Sequence, residues 1–278
     1  MSGIGQVARG ARPRASAVRG PAARRHWLAA QQKAVGLACM LALLALWQWA
    51  AGTHVINGQL FGSPSGILAA FRTALASGSL VSDTLITAYE TLAGLAIGSL
   101  TGTLAGLALW FTPALARPAE GFSVLLNSVP KIALGPLIVI WFGSGTDSKV
   151  WLAAISTYAV SMIAATAAMR EIDRDLVNLF RSLGASPRMM FRKLILPSAV
   201  PWIFSTLRMN VGFALIGAVV GEFIASQQGL GHAIFVAGSL FDLNTVWLGI
   251  ILLTLLAALL TWVIRLLEER LVTWKPTT

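Results

Sequence analysis

Long apolar runs, separated by short polar or glycine- and proline-rich intervals, set the pattern of this chain. About 20 apolar residues in a helix cross the hydrocarbon core of a bilayer. The runs predict six spans, at roughly residues 34–51, 84–110, 121–142, 150–169, 204–225 and 245–264. The fold class is therefore all-α integral membrane, with six transmembrane helices. The longest charge-rich interval after residue 33 is 170–202, between the fourth and fifth spans. Leu176, Leu179, Phe180 and Leu183 recur there at helical spacing, which predicts a short amphipathic helix. Gly184 stops it, and Ser186-Pro187 starts a second helix as cap and first-turn proline. Met189, Met190, Phe191, Leu194 and Ile195 give that helix an apolar face, and Pro197 and Pro201 close it. Two such helices at a membrane surface make a docking site for a soluble partner.

Outside the spans, Ser63-Pro64-Ser65 opens a short helix with Ile67, Leu68, Phe71 and Leu75 on one side, which suits an interfacial segment. Residues 226–242 form a second element at the same membrane face. Within the spans three features stand out. Gly94, Gly98, Gly102 and Gly106 line one face of the second span, so another helix can approach closely, within the subunit or across a dimer. The third span holds Pro130, Lys131, Gly135 and Pro136. Irregular backbone at membrane depth needs cover from protein or a water-filled cavity, and a lysine there needs a partner or water. That span is expected to line a cavity unless Lys131 snorkels to the interface. Glu222, near the outer end of the fifth span, is an ionisable group at depth. It would face a translocation path or pair with a base on a neighbour.

Composition agrees. The chain has 278 residues, 56% hydrophobic and 12% charged, where a soluble domain has about a quarter charged. A net charge of +10 would suggest nucleic acid for a soluble protein. Here the bases gather in the tail and the inside loops, beside anionic lipid, so no nucleic-acid partner follows. Residues 1–33 carry seven bases and no acid and read as a disordered, basic cytoplasmic tail before a 34–278 transmembrane domain. Arg24-Arg25-His26-Trp27-Leu28 has the order of a twin-arginine export signal, and the acid-free start has the composition of a transit peptide. An uncleaved anchor is simpler, because five more spans follow. Interval 170–202 holds six bases against three acids and belongs on the cytoplasmic side with Arg117, Arg265, Arg270 and Lys275. Both termini are then cytoplasmic, with Arg72 and Lys149 as single exceptions outside.

Enzymatic chemistry leaves no trace. The three histidines are scattered, and the one cysteine, Cys39, lies in an apolar run, so no metal site is indicated. Gly143-Ser144-Gly145 lacks the preceding glycine of an intramembrane serine protease motif, since Phe142 stands there. No G-x-x-x-x-G-K-S/T loop exists to cradle phosphate. The chain itself binds no cofactor, and any ATP driving transport is hydrolysed on another polypeptide.

Two stretches carry a family resemblance. Gly184, nine residues, Leu194, one residue and then Leu196-Pro197 resemble the second half of the "EAA" signature of ABC importer permeases. Asn178-Leu179-Phe180 stand where that signature has Glu-Ala-Ala. Pro130, Lys131, Ala133, Pro136, Leu137, Trp141, Phe142, Gly143, Gly145, Ser148 and Lys149 match a run of the nitrate/sulfonate/taurine branch of these permeases, the binding-protein-dependent transport inner membrane components. Gly229-Leu230-Gly231 is also similar to that family.

The resemblance covers roughly residues 80–275 and implies a type I ABC importer permease fold. It implies a homodimer in the bacterial inner membrane with two cytoplasmic ATPase subunits, which bind ATP and Mg. It further implies a periplasmic or lipid-tethered solute-binding protein. The 170–202 interval becomes the coupling element, with Phe180, Gly184, Ser186, Pro187, Met190, Leu194, Leu196 and Pro197 as its residues. Pro130, Lys131, Trp141 and Glu222 become translocation-path residues, and Lys131 suits a small anionic solute. Two other classes compete. An ion-coupled secondary transporter predicts paired broken helices in the two halves, yet only the third span is visibly broken. A purely structural membrane protein has no use for the 173–197 docking element.

Overall fold

The structure, a computed structural model, describes residues 21–53 and 55–272, and every regular element among them is helical. Five helices are long and apolar enough to cross a membrane, and one bent pair has the length and composition of a sixth, broken span. Helix α1 (Pro21–Gly52) contains the first span. Residues 1–20 of the expected tail lie outside the described residues, but 21–33 are helical rather than disordered. Ala, Arg, Gln and Leu favour helix, and Pro21 fits a first helical position.

Short helices α2 (Gly58–Phe61) and α3 (Pro64–Ala76) follow at one end of the bundle. The Ser63 hydroxyl caps α3, accepting from Gly66 N–H at 3.0 Å, as its sequence predicts. Helix α4 (Ser79–Ala108) is the second span, extended by a tight turn to Phe111. The third span departs from a single helix over 121–142. Helix α5 (Pro113–Ser128) meets the segment Lys131–Phe142, which ends in α6 (Gly135–Phe142), at 82°. Pro130 and Pro136 have no N–H to carry the ladder through, so the bend falls at Val129-Pro130.

Helix α7 (Thr146–Arg170) is the fourth span and the centre of the bundle. It packs on α4, on α5, and on α10 (Leu196–Ala225). Burial falls from 61% of the α7 span to 17% of the sixth and none of the first. Small residues make this possible: Ala153, Ala154 and Ala165 of α7 meet the glycine face of α4. The four-glycine strip thus packs within the subunit. A Cβ on Gly94, Gly98, Gly102 or Gly106 would run into the α7 backbone or its small side chains.

After α7 come α8 (Arg174–Ser182) and α9 (Pro187–Met190). Their end of the bundle is called the basic end here, and the end carrying α3 the opposite end. Pro197 and Pro201 do not close a separate helix, contrary to the sequence expectation. A π-turn at Phe191–Ile195 joins α9 to α10, with Leu196 N–H donating to Phe191 O, five residues back. This widened turn precedes Pro197, which has no N–H to donate, and the helix continues into the fifth span. Helix α11 (Leu230–Ser239) lies at the opposite end, and α12 (Leu243–Leu271) is the sixth span, longer than 245–264. Arg208 of α10 pairs with Glu268 of α12 near the basic end.

Candidate functional site

The α8–α9 element is built as its sequence indicates. Asp173 caps α8, accepting from Asp175 N–H at 2.8 Å. Gly184 takes φ +71°, the left-handed conformation that glycine adopts without a Cβ penalty. Gly184 N–H donates to Arg181 O and Ala185 N–H to Phe180 O, closing α8. Ser186 then caps α9, accepting from Met189 N–H at 3.3 Å.

The side chains divide into two sets. Met190, Leu194 and Ile195 are buried with Ile172, and Phe180, Val177 and Trp110 pack against them. So Phe180, Met190 and Leu194, expected at a docking surface, instead fasten the element to the span ends. Leu176, Leu179, Leu183 and Met189 point outward, with Leu183 75% exposed. Leu196 is partly exposed, and Gly184, Ser186 and Pro187 form the exposed corner. The periodicity put Phe180 in one apolar stripe with Leu176, Leu179 and Leu183, but it could not show that Phe180 alone of the four packs toward the spans.

The four path candidates do not come together. Pro130 forms the bend of the third span. Lys131 Nζ donates to Asn127 Oδ1 at 3.0 Å and lies 5.6 Å from the centre of the Phe213 ring. Trp141 is 66% exposed on α6. Glu222 is 1% exposed. Nine residues separate Phe213 from Glu222, which places them on opposite faces of α10, about 13 Å apart along its axis. The hydrogen-bond partners of Glu222 are a hydroxyl and a backbone N–H rather than the base that the sequence reading offered.

Glu222 accepts from Thr87 Oγ1 at 2.6 Å and from Gly231 N–H, tying α10 to α4 and α11. Glu90 follows Thr87 by three residues on α4 and so comes to the same face of that helix. Gly229, at φ +108°, passes so close to Glu222 that no side chain fits, and its N–H donates to Asp83 Oδ1 at 2.9 Å. Lys149 is also buried, not an exterior charge. Its ammonium donates to the carbonyls of Ser144, Gly145 and Ala225, which closes the loop after α6 and the end of α10. The fourth span begins at Thr146, earlier than expected, and that brings Lys149 inside. Glu90, 1% exposed, faces a cavity of about 490 Å³ shared with Lys149, Ser144 and Gln228. Glu90 escaped the sequence reading, although an acid in the second span was signal enough. Asn210 escaped it too. Its Nδ2 donates to Ser161 Oγ at 2.7 Å and Ser99 Oγ at 3.0 Å, joining α10, α7 and α4.

Residues 94–273, the glycine strip through the end of α12, match the family described as binding-protein-dependent transport system inner membrane component. The chain belongs to this family. It is the permease subunit of an ABC importer and a multi-pass membrane protein. It is 36% identical to the riboflavin transport system permease protein RibX of Chloroflexus aurantiacus, over 87% of this chain and 91% of that one. It is 31% identical to the formylaminopyrimidine transport permease protein ThiX of Halalkalibacterium halodurans, over 84% and 93%. The taurine transport system permease protein TauC of Escherichia coli is 29% identical over 90% and 92%. The permease also has the fold of a chain of the inward-facing methionine ABC transporter MetNI, with a TM-score of 0.57 at 18% identity. That likeness covers 68% of this chain and 96% of the other and gives the type I importer fold.

Proposed function

We propose that the permease works as a homodimer in a bacterial inner membrane, with both termini cytoplasmic, and imports a small anionic solute by alternating access. Two cytoplasmic ATPase subunits dock on the α8–α9 element and bind the ATP and Mg. A periplasmic or lipid-tethered binding protein delivers the solute to the opposite end. The observation that carries this reading is the outward apolar surface of Leu176, Leu179, Leu183 and Met189 beside the Gly184 corner. The inward side chains of the same element are packed on the span ends, so force on α8 reaches α7 and α10 directly. Coupling then requires only that ATP and solute each favour one of two states.

Co-purification with the candidate ATPase tests the docking. A Cβ at Gly184 meets no atom within 4 Å, so Gly184→Trp leaves the spans untouched while its indole blocks the corner. The positive φ adds a local cost of about 1–2 kcal/mol. The ATPase travels with wild type and is lost from Gly184→Trp and from Leu183→Asp. Failure of the ATPase to associate with wild type would favour an ion-coupled transporter.

The anionic character of the solute rests on Lys131, a half-buried ammonium at the bend of the third span. The name of the taurine relative agrees with it, whereas the riboflavin and formylaminopyrimidine names point to other solutes. In proteoliposomes with ATPase and binding protein, Lys131→Gln lowers anion uptake about tenfold, the worth of about 1.4 kcal/mol. ATPase binding stays unchanged. Equal uptake by the variant would leave Lys131 only its local bond to Asn127.

A further inference from the structure

At the basic end, a cavity of about 450 Å³ opens between the ends of the spans and the α8–α9 element. Its wall is largely apolar, with Leu109, Trp110, Met169 and Met190, and two guanidiniums, Arg170 and Arg181, stand on it. Trp110 Nε1 donates to Pro187 O at 3.4 Å, so the indole bridges the end of α4 to α9. Arg181 has no ion-pair partner among the described residues. It follows Val177 by one turn of α8, beside the flank that packs on the spans. Leu176, Leu179 and Leu183 are exposed on the other flank.

The charge and shape select one kind of ligand. A soluble anion would pair with Arg181 but leave the apolar wall uncovered. An anionic phospholipid satisfies both, with its phosphodiester on Arg181 and its glycerol and upper acyl carbons on the wall. Helices α4 and α7 reach this end at Phe111 and Arg170, the end where the bases of 170–202 gather beside anionic lipid. The excess of bases in 170–202 adds a field of the right sign.

The geometry points to a binding site for the phosphodiester headgroup of one anionic phospholipid, held by Arg181 against Trp110, with Arg170 on the same wall. The cavity meets the docking corner only at Pro187, and the exposed leucines of α8 lie on the other flank.

Tryptophan quenching tests it on the full chain in neutral detergent. The probes are phosphatidylglycerol and phosphatidylcholine with brominated acyl chains, and the difference between wild type and Trp110→Phe isolates the indole in the cavity. The Trp110 signal is quenched at about tenfold lower phosphatidylglycerol than phosphatidylcholine. Arg181→Gln weakens that preference about fivefold with an unchanged melting temperature. Arg181→Lys retains most of it. Equal quenching by the two lipids in wild type, or an undiminished preference in Arg181→Gln, overturns the site. A third arm adds millimolar inorganic phosphate. If phosphate displaces phosphatidylglycerol, the ligand is a soluble anion and the lipid assignment fails. If it does not, the lipid assignment stands.

Discussion

Gly98→Leu yields no folded permease, and Gly98→Ala lowers the apparent melting temperature by about 5–10 °C. A Cβ on Gly98 would occupy the space of the Ala154 carbonyl and the Thr157 hydroxyl of α7. The hydroxyl can rotate away, but a carbonyl within a helix moves only if the helix moves. Overpacking of this kind costs about 1–3 kcal/mol where side chains can adjust, and a backbone obstacle places it at the upper end or beyond. The same approach recurs at Gly94, Gly102 and Gly106, so displacing α7 at one glycine breaks the fit at the next. Gly36→Ala is the control, because its Cβ meets no atom within 4 Å, and its effect stays within about 0.5 kcal/mol. Thermal melts of detergent-purified protein read both. If Gly98→Leu melts like wild type and changes only the oligomeric state, the strip packs between subunits and the α4–α7 assignment is wrong.

Lys149→Met is the second large effect. The substitution leaves the Ser144, Gly145 and Ala225 carbonyls without their donor. It also removes a buried ammonium from the cavity that Glu90 lines. Removing one member of a buried charged cluster costs about 3–5 kcal/mol, mainly because the remainder is left uncompensated. The loss should appear as a lower melting temperature and as proteolysis within 226–231, the turn that Glu222 and Asp83 hold. The double variant Lys149→Met/Glu90→Gln loses less than the sum of the two single variants, because the two side chains line one cavity and interact across it. Additivity of the two single variants would mean that Glu90 and Lys149 do not interact.

The family, its fold and the helix–glycine–helix turn between α8 and α9 were legible along the chain, because each rests on local order. Span length follows from runs of apolar residues. The corner between α8 and α9 follows from Gly184, and the second helix from Ser186-Pro187. The glycine strip follows from a four-residue repeat. These signals need only the helical period and the chemistry of the residues themselves.

Partnership was not legible, because it depends on which faces meet. The repeat of Gly94, Gly98, Gly102 and Gly106 allows a close neighbour, and only packing names α7 as that neighbour. Phe180 and Leu183 read as one stripe, yet Phe180 packs on the span ends and Leu183 stays exposed. Lys149 reads as an exterior charge until the Ala225 carbonyl, 76 residues away, comes within reach of its ammonium. Pro197 and Pro201 read as stops, because the rule for proline is local. The tertiary structure carries the helix through them with a π-turn and the packing of Leu194 and Ile195. The apolar runs and the turn residues were enough for the helical membrane class, the family and the Gly184 corner. The tertiary structure decided which buried charge meets which, since that depends on contacts between residues far apart in the chain.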